Sequence, residues 1–155
     1  MANENDSNIL DEMVTMPESA MAEYFSKNAH RIIDDATYLN VLGTLWKLGG
    51  TVMQQDLWKD LFQSHRKKQH KIMKKRERKR WRKLPGVVTA YRAVNNGIES
   101  DAAISWTLSK AIAEKFFICS TREVVSRRFD KKDIFAFFDR RQEDEILVNI
   151  KNGAP

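Results

Sequence analysis

The chain has 155 residues, 42% of them hydrophobic, with 27 Lys+Arg against 21 Asp+Glu and a formal net charge of +6. This is enough for one core of ordinary size plus an appendage; it excludes a wholly disordered chain, and 6 Gly and 3 Pro exclude a collagenous or low-complexity one. No apolar run approaches the roughly 20 residues that span a bilayer, no basic-apolar-small pattern marks a signal peptide, and a lone Cys119 closes no intramolecular disulfide, so the cytoplasm is the expected setting, without a membrane.

In chain order, Ile9, Leu10, Met13 and Val14 could share one face of a short helix. Pro17 suits a first helical position, and Met21, Tyr24 and Phe25 follow at helical spacing, which predicts a helix to about Asn28. Another is expected from Asp35, with Tyr38, Leu39, Leu42, Leu45 and Trp46 on one face, ending at Gly49-Gly50. Leu57, Trp58, Leu61 and Phe62 then predict one long helix from about Thr51 to Arg82, its far end basic and exposed and its Ile72, Met73 and Trp81 isolated, closed by Leu84-Pro85-Gly86.

From Val87 the period changes. Val87 to Val94 and Ile104 to Leu108 read as strands, with a turn at Asn95-Asn96-Gly97. Ser109 reads as the N-cap of a helix burying Ile112, Ala113, Phe116 and Phe117. Glu123 to Phe129 and Glu145 to Ile150 read as further strands, and Asp133 to Phe138 as a strand or a short turn-bounded segment. The expected organisation is α+β: a helical region over residues 1–85 with a long basic helix, then a compact core over residues 86–155.

The charge is unevenly placed. Residues 1–35 carry a net charge of −6, residues 36–65 are neutral, residues 66–83 carry +11 and residues 84–155 carry +1. Arg66, Lys67, Lys68, Lys71, Lys74, Lys75, Arg76, Arg78, Lys79, Arg80, Arg82 and Lys83 stand against Glu77 alone. Such a run is often a solvated helix face; at this density it repels itself, and it becomes a candidate phosphate-binding surface for nucleic acid, with Trp81 placed either to stack on a base or to cap the core. His30, His65 and His70 have no metal-ligand spacing with each other or with Cys119, so no metal site is expected, and Cys119 reads as a small core residue. There is neither a phosphate-binding P-loop nor a GxGxxG dinucleotide motif.

Three pieces of the second half stand in a suggestive order: Tyr91-Arg92 in a strand, Ser105-Trp106-Thr107 in the next with SKAIAEKFF directly after it, and Glu143-Asp144-Glu145 entering the last strand after a Phe-rich segment and the polar turn Asp139-Arg140-Arg141-Gln142. Singly, each has a structural explanation as a paired surface arginine, an ordinary polar strand or an acidic gatekeeper. Together they resemble the arginine, serine and glutamate motifs of the R-S-E class of mono-ADP-ribosyltransferases, the toxin-like bacterial and phage-borne enzymes that use NAD. The resemblance covers about residues 87–150 and departs from the family where Ser-Trp-Thr-Leu-Ser replaces Ser-Thr-Ser and Ala93 replaces a glycine.

The resemblance implies an ADP-ribosyltransferase-like split β-sandwich with NAD as co-substrate. Glu145 would bind the ribose 2′-hydroxyl and face the developing oxocarbenium charge; Glu143 would position or deprotonate the acceptor; Ser105 would orient Glu145; Arg92 would capture the pyrophosphate or the carboxylate network. Thr107 would support the adjoining backbone or the nicotinamide ribose, and Trp106, Phe117 or Phe138 would lie against nicotinamide. As strand residues, Glu143 and Glu145 would share one face. It further implies an effector of phage conflict with a neutralising antitoxin partner. The basic run favours nucleic acid, RNA before DNA, as acceptor; the Glu-x-Glu pair favours an arginine-bearing protein. A reading of another class is a non-catalytic nucleic-acid-binding regulator built on an inert transferase-like part.

Overall fold

The computed structural model describes residues 3–49, 55–95, 103–117 and 122–149. They form six α-helices and a five-stranded antiparallel sheet, the α+β class expected. The chain divides into two compact units, Met1–Ile72 and Met73–Pro155, so the cationic run is shared between them instead of lying wholly before a boundary at residue 85.

The first unit is helical: α1 (Glu4–Val14), α2 (Glu18–Asn28), α3 (Asp35–Gly49) and α4 (Gln55–Phe62), with 3-10 turns at Ala29–Arg31 and Gln69–Ile72. Most of the apolar spacing read from the sequence is the buried face, with Ile9, Met13, Phe25, Tyr38, Leu39, Leu42, Leu45, Trp58, Leu61 and Phe62 all in the core; Val14 and Leu57, expected on the same faces, are instead 67% and 39% exposed. Trp46 meets Trp58 and Phe62 edge-on at 5.2 and 5.3 Å, geometry that favours aromatic quadrupoles. A fully buried carboxylate, Asp6, ties α1 to the entry of α3: it accepts hydrogen bonds from the Ile33 and Asp34 amides at 2.8 and 2.9 Å and from Asn3 and Asn5 at 3.0 Å. Burial acts to raise its pKa, but these donors outweigh it and the net shift is downward.

The single long helix expected over Thr51 to Arg82 is not formed. Helix α4 stops at Phe62, Lys68 adopts a left-handed backbone (φ 62°), and helix resumes only as α5 (Lys75–Arg82). The cause is burial that charge density obscured: consecutive residues Ile72 and Met73, which looked isolated, are 2% and 4% exposed and serve the cores of different units. In the first unit the Ile72 carbonyl lies so close to α3 that a Cβ added at Gly43 would sit 2.4 Å from its oxygen.

The second unit comprises α5, β1 (Val87–Val94), β2 (Ser105–Thr107), α6 (Lys110–Phe117), β3 (Glu123–Asp130), β4 (Ile134–Phe138) and β5 (Glu145–Val148). The strand order is β3-β1-β2-β5-β4, every neighbouring pair antiparallel. Helix α6 packs on β1, β2 and β3, its Ile112 amide capped by Ser109 Oγ as the sequence predicted. Helix α5 and the residue Met73 just before it lie along the outer edge of β4 and satisfy backbone groups there: Trp81 Nε1 donates to the Ile134 carbonyl, the Phe137 amide donates to Met73 Sδ, and the Asp139 amide donates to Glu77. Trp81 is thus a cap on the core. Cys119, the Asn96-Gly97 part of the expected turn and the far end of the last strand at Ile150 lie outside the described residues.

Candidate active site

Glu145 opens β5, and the ladder sets its neighbours. It pairs with Thr107 of β2 on one side and Phe138 of β4 on the other, while Thr107 in turn pairs with Tyr91 of β1. Directly opposed residues of an antiparallel sheet project to the same face, so Tyr91, Thr107, Glu145 and Phe138 share a face, joined by Ser105 two positions before Thr107. Ser105 Oγ donates to Glu145 Oε2 across that face. Glu145 is a carboxylate only 8% exposed, and burial of such a group demands hydrogen-bond donors. The serine supplies one and restricts the rotation of the carboxylate.

Arg92 reaches the same place by another route. Register puts it on the opposite face, across from Val125 of β3, but β1 and β2 pair only at Tyr91↔Thr107 among the described residues, and past that point a side chain continues the ladder. Arg92 Nη1 donates to the Ser105 carbonyl at 2.8 Å, an oxygen that points toward β1 because the preceding carbonyl, Ile104, is taken by the Val148 amide of β5. The guanidinium therefore holds the serine's backbone.

Thr107 supports the adjoining backbone. Its Oγ1 donates to the Glu143 carbonyl at 2.6 Å and accepts from the Ser109 amide at 3.1 Å, while the Leu108 amide donates to the Asp144 carbonyl at 2.9 Å. These bonds tie the turn before β5 to the end of β2. They also correct the reading of Glu143: it is not a strand residue, since Gln142 (φ 55°) and Asp144 (φ 45°) are left-handed on either side of it and Glu143 itself has helical dihedrals. The strand begins only at Glu145, so alternation does not put the two glutamates on one face.

Trp106 is not brought to this face. Its ring is 2% exposed, lies edge-on to Phe129 at 5.2 Å, and its Nε1 donates to the Ala103 carbonyl, on the side of the sheet away from Glu145. Of the aromatic candidates with described side chains, Phe138 shares the Glu145 face, fully buried with the Arg140 guanidinium 5.2 Å from its ring centre.

The cationic residues fall into two sets, mostly by residue type. In the first unit Arg66 is spent internally: it pairs with Asp35 at 3.2 Å, donates to the Ala29 carbonyl at 2.9 Å and stacks over Tyr38, while Lys67 and Lys68 are exposed and Lys71 half-exposed. In the second unit Arg76 makes a two-pronged pair with Asp139, both contacts 2.8 Å; Arg80 pairs with Asp144 at 3.1 Å; Arg78 donates to the Met73 carbonyl at 2.6 Å. The hydrogen bond from Arg76 holds the Asp139 carboxyl below its ordinary range. Lys75, Lys79 and Arg82 are exposed along the other helical stripe of α5, flanked by exposed Lys74 and Lys83.

Sequence reasoning missed Glu77, the lone acid of the run. It is fully buried and accepts from the Lys74 amide at 2.8 Å, the Asp139 amide at 3.0 Å and the Arg140 guanidinium at 3.0 Å. The available signal was a solitary carboxylate three residues into a helix start, the spacing of a capping box.

Among the described residues no group of His, Cys, Asp and Glu is arranged to hold a metal, and no helix is long and apolar enough to cross a membrane. A cavity of about 350 Å³ lined by Val87, Arg128, Phe129, Asp130 and Asp133 lies at the opposite end of β1 from Arg92 and is separate from Glu145. Compared with family models, curated proteins and solved structures, the chain matches none.

Proposed function

We propose that the chain is an NAD-dependent mono-ADP-ribosyltransferase that transfers ADP-ribose to a macromolecular acceptor, a nucleic acid and RNA before DNA. The observation that carries this reading is the Ser105–Glu145 hydrogen bond, with the Arg92 guanidinium on the Ser105 carbonyl. Residues from three separated motifs are thus linked in one chain of hydrogen bonds, Arg92 to the Ser105 backbone and the Ser105 hydroxyl to the buried Glu145 carboxylate, which chance similarity of each motif does not require. The short β1–β2 contact at Tyr91↔Thr107 is where the sheet would open into the halves of the family's split sandwich.

The site suits NAD chemically. Cleavage breaks the bond between ribose C1′ and the nicotinamide nitrogen; nicotinamide leaves neutral with the electron pair, and positive charge spreads over C1′ and the ring oxygen. A carboxylate withdrawn from water and held in one orientation stabilises that charge far better than one in bulk solvent. Glu145 fills that role and binds the 2′-hydroxyl, with Ser105 orienting it and Arg92 and Thr107 positioning the strand and turn. The acceptor's lone pair then forms the new bond to C1′ and its proton passes to a base, for which Glu143, in the turn just before β5, is the candidate. No net oxidation occurs. The stripe Lys75, Lys79 and Arg82 favours a phosphodiester backbone as the acceptor's handle.

Incubating the protein with NAD labelled in the adenylate and a cell extract, then digesting separately with nuclease and protease, tests the reading. Label that is lost to RNase but survives protease is the expected result. Label lost only to protease moves the acceptor to protein, and absence of any transfer or nicotinamide release overturns the activity.

A further inference from the structure

We infer that Glu77 is a positioning residue through which the cationic helix sets the turn that delivers Glu145, an inference that rests on the activity proposed above. A carboxylate with no exposure, in a run of otherwise positive charge, is costly to bury, and nothing in an exposed basic helix requires it. Its partners show what it holds. One oxygen closes the start of α5 at the Lys74 amide, and the carboxylate then reaches the Asp139 amide and the Arg140 guanidinium, the first residues after β4.

Two more clamps follow the same turn toward its end: Arg76 on Asp139 and Arg80 on Asp144. The turn contains two non-glycine residues in left-handed conformation, Gln142 and Asp144, which persist only where surroundings over-determine them. Its far end is fixed by Thr107 and the Leu108 amide, and the next residue is Glu145. The three clamps differ in solvent access. Arg76 and Arg80 are 69% and 48% exposed, whereas the Glu77–Arg140 pair is 0% and 14% exposed, so salt or a bound polyanion weakens the outer two and leaves the inner one. The stripe that faces solvent on α5 and the carboxylate that grips the turn are thus parts of one helix.

The test uses the full chain and the variants Glu77→Gln and Arg140→Gln, each checked for folding by circular dichroism and melting. With NAD as substrate, the expected result is a kcat at least tenfold lower per folded molecule, KM for NAD within twofold of wild type, and partial recovery of kcat in Glu77→Asp. Amide hydrogen exchange supplies a readout independent of activity. The Leu108 amide, bonded to the Asp144 carbonyl, should exchange at least tenfold faster, while the Val148 amide at the other end of β5 should not change. Wild-type kcat in both folded variants, or equal acceleration at Leu108 and Val148, overturns the inference, as does failure of both variants to fold, which would make the hold global. If the wild-type protein leaves NAD intact, the proposed activity falls, and the exchange comparison still decides whether Glu77 holds the turn.

Discussion

Ser105 and Glu145 lie on adjacent antiparallel strands, and the serine hydroxyl donates to the glutamate's Oε2 one diagonal step from the Thr107↔Glu145 pair. The bond both satisfies a buried anion and fixes its direction. Replacing Ser105 with Ala leaves the carboxylate with one donor fewer, a loss of about 1–3 kcal/mol. The expected outcome is a fall in kcat of roughly 10- to 100-fold with little change in KM for NAD, read by nicotinamide release.

The division of the cations predicts two kinds of mutant. Changing Lys75, Lys79 and Arg82 together to Ala should weaken RNA binding and reduce the slope of log affinity against log salt by about 2, from roughly 0.7 per phosphate contact on a single strand. Changing Arg76, whose charge is balanced by Asp139, should alter affinity far less. Fluorescence anisotropy across a salt series separates the two.

Asp6 makes the first unit acid-sensitive. Its pKa is lower in the folded chain than its ordinary value of 3.8, so its stabilisation is full above the unfolded pKa and is lost as pH falls through the folded one. The Ile33 and Asp34 amide resonances should titrate together below about pH 4. Asp6→Asn should remove that titration and cost about 1–3 kcal/mol, because an amide replaces one acceptor oxygen with a donor facing an amide N–H.

Gly43→Ala tests the packing of the 3-10 turn at Gln69–Ile72 on α3. In an open helix this exchange is stabilising by about 0.5–1 kcal/mol. Here the new methyl carbon would stand 2.4 Å from a backbone oxygen, which cannot rotate away, so the sign reverses and a loss of about 1–3 kcal/mol is expected by chemical denaturation.

Much of this architecture was legible because apolar period is a local signal. The sequence pattern of Val87 to Val94 coincides with β1, and α3 and the Ser109 cap follow the same logic. Charge, in contrast, reports where a residue can dissolve, not where it is used. The run from Arg66 to Lys83 looked like one exposed helix, yet Arg66, Arg76, Arg78 and Arg80 bond to the protein and Glu77 is buried. The Glu143 reading failed for a related reason: strand alternation applies only once the ladder begins, and the left-handed Asp144 delays it to Glu145. Arg92, Ser105 and Glu145 stand out by order and spacing, but the hydrogen bonds that link them depend on the pairing of β2 with both β1 and β5, which no local pattern encodes.

Glu145 is proposed to be the group that stabilises the ribosyl cation. The most direct measurement is NAD cleavage by wild type and by Glu145→Gln, which keeps size and an acceptor oxygen for Ser105 but removes the charge. The expected result is a loss of at least about 100-fold in kcat, from the scale of electrostatic stabilisation, with the melting temperature largely retained. A Glu145→Gln protein that releases nicotinamide at the wild-type rate would contradict it.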